Sequence, residues 1–196
     1  MAKKVSRKLK EKQKRKIRNR NYAEILQKNA VIRRDVVKFD HPILFSKALD
    51  IRDEEHLKEI NANNGFDLLS RLRTVVLAHK NGAGLSANQI AQPYRASVVR
   101  FDTKNRDTFF MINPEMIEHS EETESAIEGC LSFPGYFTKI ERFKTITVEY
   151  LDEKFEKKKA NYSGYEARVI QHELDHLSGH PSLHEYYKEK KDKGMR

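Results

Sequence analysis

Residues 164–178 read as one helix, and one face of it limits what the rest of the chain can build. Tyr165, Val169, His172 and His176 share that face, and Gly179 stands where a helix would end. Side chains four apart on a helix lie one above the other. A fold that packs against this face must therefore accept two imidazoles at a single point. Glu173 follows the first histidine directly, where a carboxylate can reach water held by an ion between the two rings. On this stretch alone, a charged helix that happens to read this way is the alternative.

A catalytic metal site ordinarily has three protein ligands and keeps a fourth position for water. Candidates for the third are few. Glu185 and Glu189 fall in a stretch that reads as a polar, poorly ordered tail, and Ser182 occupies a position where one common pattern has a histidine. Gly179 and Pro181 break the helix before His180 and His184 can join the pair, so both read as surface residues. The remaining candidate is Cys130, the single cysteine, in "EGCLSFPG". A lone cysteine forms no intrachain disulfide, which suits a reducing compartment. The plainer reading of such a residue is a small buried thiol.

Upstream of the helix the pattern is rich in strands. Val98, Val99 and Phe101 suggest a buried strand, and "TFFMINPEMI" a second. Ile146, Val148 and Tyr150 alternate with Thr145, Thr147 and Glu149 as in a half-buried strand, and "EKFEKKKANYSG" reads as its hairpin partner. Phe66, Leu68, Leu69, Leu72, Val75, Val76 and Leu77 recur at helical spacing before Gly82. Residues 21–39 suggest a short helix passing into an extended lead, and the order after "DHP" looks irregular as far as Gly65. Strands followed by a late helix predict an α+β fold, with antiparallel or mixed strands packed around a central metal-binding helix.

Charge divides the chain. Of its 196 residues, the first 20 hold 11 Lys or Arg and a single acid, Glu11. The formal charge of +9 therefore belongs to a basic N-terminal arm, and residues 21–196 carry 27 basic and 28 acidic side chains. We expect residues 1–20 to be a flexible arm or fraying helix, 21–185 a single catalytic domain, and 186–196 a short polar tail. An arm of this kind suits phosphate-rich partners such as the ribosome or its RNA. No apolar run approaches the ~20 residues of a membrane span. The first residues also lack the apolar stretch of a secretory signal. A cytoplasmic protein is expected.

Three segments together carry a resemblance. "GAGLSANQ" (82–89), "EGCLS" (128–132) and "QHELDHLSG" (171–179) resemble, in order and spacing, the three motifs of peptide deformylases, with "INPEM" between the first two. The resemblance covers roughly residues 33–180. It implies that Cys130, His172 and His176 bind one divalent ion, most naturally Fe²⁺, with Ni²⁺, Co²⁺ or Zn²⁺ also accepted. It further implies that Glu173 carries protons, and that the Gln89 side-chain amide and the Leu131 backbone N–H stabilise the developing oxyanion. Gly84, Leu85, Gly129, Tyr136, Phe137 and His172 would border the bound peptide, and Glu128 would pair with Arg142. The implied substrates are nascent peptides beginning with N-formylmethionine, and the products are formate and a free amine.

Three departures stand out. Phe137 occupies a position where many relatives carry an arginine, so Tyr136 and Phe137 are expected to form an apolar rim. Ser86 replaces the usual alanine. The segment after Gly179 is too short for the long C-terminal helix of many bacterial relatives, which leaves the basic arm as the expected ribosome contact. Two other functions are compatible with these residues: an inactive metal-containing module associated with ribosomes or RNA, and a general metalloprotease. A complete ligand set beside a catalytic carboxylate speaks against the first, and the missing downstream ligand against the second.

Overall fold

The computed structural model describes residues 35–105 and 107–192, and from Val36 onward these belong to one unit. The basic arm, and the expected helix as far as residue 34, lie outside the described residues. Strands β1 (Gly84–Ser86), β2 (Ala96–Val99) and β3 (Phe109–His119) are followed by a separate hairpin, β4 (Thr123–Cys130) and β5 (Phe133–Phe143), and then by β6 (Thr145–Leu151) and β7 (Lys157–Ser163). The larger sheet runs β1-β2-β3-β6-β7, with every neighbouring pair antiparallel. The α+β expectation holds, and the strands are antiparallel rather than mixed.

Helices α1 (Glu54–Asn64), α2 (Leu68–Ala78), α3 (Gly164–Ser178) and α4 (Leu183–Asp192) complete the described fold. The expected boundaries of the late helix match α3. It begins after Ser163 and ends at Gly179, whose left-handed φ of 79° is one that glycine adopts without strain. A side chain at 179 would also strike the backbone of Ser46 and Lys47, so the loop over the helix end needs glycine twice over. Ala167, Val169 and Ile170 pack into a core with Val99, Met111, Ile146 and Val148. Strands β1, β2, β5, β6 and β7 all meet α3, so the helix lies among them. Gln171 fixes its depth: its amide bonds both the N–H (3.0 Å) and the C=O (2.9 Å) of Phe143 on β5.

Two segments differ from expectation. Residues 54–64, read as irregular, form α1, capped by Asp53 through a 2.7 Å bond to the His56 N–H. Only Leu57 and Ile60 of this helix are buried, so no broad apolar stripe announced it. The expected polar tail begins too early, because α4 extends to Asp192. Leu183 and Tyr187 are buried against Phe133, and Tyr187 also meets Phe39 and Tyr136. None of the described helices is long and apolar enough to cross a membrane.

Candidate metal centre

The β4–β5 hairpin brings the lone sulfur to α3. β4 ends at Cys130, Leu131 and Ser132 turn the chain, and Phe133 opens β5. One donor atom each from Cys130, His172 and His176 lies within 4.8 Å of the other two, and among the described residues this is the group that could hold a metal ion. Cys130 Sγ stands 3.1 Å from His176 Nε2. His172 spends Nδ1 on Glu128 Oε2 at 2.9 Å, which turns Nε2 toward the sulfur. His176 Nδ1 is buried without a hydrogen-bond partner among the described residues. One thiolate and two imidazoles form a borderline-soft set suited to Fe²⁺, Co²⁺, Ni²⁺ or Zn²⁺. The residues therefore fit the expected ion.

Charge within the trio supports that fit. Burial pushes the Cys130 thiol up, but the adjacent His176 and His172 overrule it and hold the thiol well below its ordinary range. Burial alone would lower His172, whereas its bonds to Cys130 and Glu128 raise it well above the ordinary histidine value. Thiolate and imidazolium thus satisfy one another, and loading a cation would displace the imidazolium proton.

Glu173 is buried beside its neighbouring histidine. Burial raises its pKa, opposed by His172, His176 and a bond from Ser86. That bond runs from Ser86 Oγ to Glu173 Oε2 at 2.7 Å, with Ser97 Oγ a further 2.7 Å from Ser86 Oγ. The departure from alanine at 86 therefore supplies a hydroxyl that orients the carboxylate. Gly84 is needed at the carboxylate as well, since a Cβ there would overlap the Glu173 carboxylate. Gln89 is clamped through Oε1 by the Ser86 N–H at 2.9 Å. Its Nε2 lies 3.2 Å from Ser132 Oγ and 3.5 Å from Cys130 Sγ.

The expected Glu128–Arg142 pair is present and larger than foreseen. Arg142 grips both carboxylate oxygens at 3.0 Å, and its remaining donors reach Asp175 Oδ2 (2.6 Å) and Ser182 Oγ (2.8 Å). Arg168 adds a 2.7 Å bond to Glu128 Oε1. It precedes His172 by four residues, a spacing that could have flagged it on the sequence.

A cleft of about 490 Å³ opens over this centre. Gly84, Gln89, Gly129, Cys130, Leu131, Phe137, His172 and Glu173 line it, along with Ile127 and Tyr165. Two expected peptide-contacting residues lie elsewhere. Leu85 has its side chain fully buried in the core, leaving only its backbone available. Tyr136 turns its ring onto Tyr187, at 5.0 Å between centroids, because Gly135 (φ 83°) bulges the strand there. Phe137 does reach the rim, 61% exposed, with its ring over Gly129, where a Cβ would come within 2.5 Å of it. His180 is exposed, and His184 packs at a tilt against Phe45 at 4.2 Å, so neither joins the trio.

The sequence profile of polypeptide deformylases matches residues 33–192. The chain belongs to the peptide deformylase family. A peptide deformylase from Christiangramia forsetii is 34% identical over 159 residues, a match covering 74% of this chain and 76% of that protein. The crystal structure of the deformylase from Thermotoga maritima shares 36% identity at a TM-score of 0.63, covering 74% of this chain and 91% of the other. An Acinetobacter baumannii deformylase with Met-Ala-Ser bound shares 31% identity at a TM-score of 0.64, covering 74% and 92%. The chain spans about 60% of the length of several curated Thermotoga deformylases that it matches in sequence.

Proposed function

We propose that this protein is an active peptide deformylase, hydrolysing the formyl amide of N-formylmethionyl peptides to formate and a free amine. The observation carrying this reading is the meeting of Cys130, His172 and His176 at one point, with the Glu173 carboxylate beside them. When bound there, a divalent ion supplies the Lewis acidity that makes water a competent nucleophile near neutral pH.

The chain's own residues account for the rest. Ser86 holds Glu173 Oε2, leaving Oε1 on the Gly84 side to take a proton from the attacking water and return it to the leaving nitrogen. The Gln89 Nε2 and the Leu131 N–H are suited to receive the negative charge that develops on the formyl oxygen, and each such donor is worth roughly 3–4 kcal/mol of barrier. Gly84 to Ser86 form the edge strand of the larger sheet, a place where an extended peptide adds as a further strand. Ile127, Phe137 and Tyr165 give the mouth of the cleft an apolar character suited to uncharged side chains. A related protein of known structure has Met-Ala-Ser bound, in keeping with a substrate that begins with methionine.

Fe²⁺ is the proposed native ion. Anaerobic purification with metal analysis tests this, with activity expected to fall in air and nickel substitution to slow the loss. The free thiol of Cys130 favours the cytoplasm, and the basic arm is the proposed contact with ribosomal RNA.

Formate release from formyl-Met-Ala-Ser is the test of the activity. Wild type should release it, and Glu173→Gln should do so at least ~100-fold more slowly. No release by the metal-loaded wild type would overturn the reading, and cleavage of internal peptide bonds would favour a metalloprotease instead.

A further inference from the structure

Two consecutive residues ahead of the first helix hold the backbones of both proposed oxyanion donors. The Val37 N–H donates to the Gln89 carbonyl at 2.9 Å. The Lys38 Nζ donates to the Leu131 carbonyl at 3.1 Å, across 93 residues of sequence. Gln89 lies in the 3-10 turn after β1 and Leu131 in the turn of the β4–β5 hairpin, which belong to different sheets. No strand pairing sets the distance between these two turns. Residues 37 and 38 bridge them.

Lys38 is placed unusually for a chain with 38 lysines and arginines. It is half-buried and lines the cleft with Cys130 and Leu131, and its hydrogen bond goes to a main-chain carbonyl. Burial holds its pKa below the ordinary lysine value, with Cys130 acting in the opposite sense. Arg168, the other lysine or arginine among the described residues lining the cleft, is spent on Glu128 Oε1 and on the carbonyls of Ile140 and Glu124. A half-buried ammonium that grips one carbonyl restrains that peptide unit. The Leu131 carbonyl and the Leu131 N–H flank a single Cα, so fixing the first limits how far the second can swing.

We propose that Lys38 is a positioning residue for deformylation, clamping Leu131 so that its N–H faces the formyl oxygen while Val37 steadies Gln89. The proposal rests on the deformylase reading. An oxyanion donor acts only where charge develops, so a donor allowed to drift lowers kcat and leaves ground-state binding in place.

Lys38→Met keeps an apolar stem and removes the ammonium, whereas Lys38→Arg retains a cation and its donors. With formyl-Met-Ala-Ser, Lys38→Met should lower kcat about tenfold with KM within about twofold, a smaller loss than the ~100-fold or more expected from removing a donor outright. Lys38→Arg should recover most of the rate. Amide hydrogen exchange in residues 130–133 should be faster in Lys38→Met than in wild type or Lys38→Arg. A wild-type kcat in Lys38→Met, a loss confined to KM, or failure of arginine to restore the rate would each overturn the proposal. If wild type itself released no formate, the deformylase reading would fail. The exchange measurement would still decide the clamp, since unchanged exchange in Lys38→Met refutes it whatever the turnover.

Discussion

Glu128 receives hydrogen bonds from three side chains: Arg142 on both oxygens, Arg168 on Oε1 and His172 Nδ1 on Oε2. Burial alone would raise its pKa, but the bonds from His172 and Arg142 win and hold it at about 2. A carboxylate with a depressed folded pKa stabilises the fold above the ordinary carboxylate range. That contribution is lost as pH falls from about 4.5 toward 2, and amounts to roughly 3 kcal/mol at most. Urea unfolding of the metal-free wild type should lose stability over that window. Glu128→Gln, which leaves two buried guanidinium groups short of their anion, should cost about 3–5 kcal/mol at neutral pH and show a flatter acid limb. Equal neutral-pH stability for the two proteins would contradict this account. His172, Glu173 and His176 were legible in the sequence because one helix sets their spacing. Cys130 was a candidate as the single cysteine, but its role as ligand, like the Glu128–Arg142 pair, came from motif resemblance, since no local periodicity brings these residues to the helix. Lys38 was legible by neither route: nothing in "VVKFD" separates it from other basic residues, and its partner lies far along the chain.

Among the elements, α2, α3 and strands β2, β3 and β6 were readable because apolar residues recur with the period of the structure they form, and β7 was readable as the hairpin partner of β6. The β4–β5 hairpin was not, because it exposes Ile127 and Phe137 and buries Glu128 and Arg142, the reverse of the usual pattern, and its register slips between Gly129 and Cys130. That slip makes room for the bulge at Gly135, and it separates Phe137 at the cleft from Tyr136 at α4. α4 was missed for a related reason. Its sequence "LHEYYKEKKD" is mostly charged, and among its described side chains burial falls on Leu183 and Tyr187. Those two nonetheless support Phe133, which is fully buried and follows the turn carrying Leu131 and Ser132. Tyr187→Ala should destabilise the protein by roughly 3 kcal/mol, read as a lowered urea midpoint. If the chain beyond Pro181 were an unattached tail, the substitution would leave that midpoint unchanged.

For the whole molecule, the basic charge and the hydrolytic centre sit in different parts of the chain: the arm at residues 1–20 holds 11 cations, while the remainder is near neutral. The proposed division of labour has attachment through the arm and chemistry in the cleft. Co-sedimentation with ribosomes at low salt should fall sharply in a variant lacking residues 1–20, and should weaken for the full chain as salt rises. Undiminished co-sedimentation of the shortened protein would refute that role for the arm. Deformylation of a short formyl peptide should be unaffected by the same deletion, because every group in the proposed mechanism lies beyond residue 36. The most direct test of the centre itself is X-ray absorption at the metal edge of anaerobically purified protein. Convergence of Cys130, His172 and His176 on one ion predicts a single sulfur neighbour with imidazole nitrogens; in the zinc-loaded protein these should lie at about 2.3 Å and about 2.0–2.1 Å. A coordination shell without sulfur would contradict it.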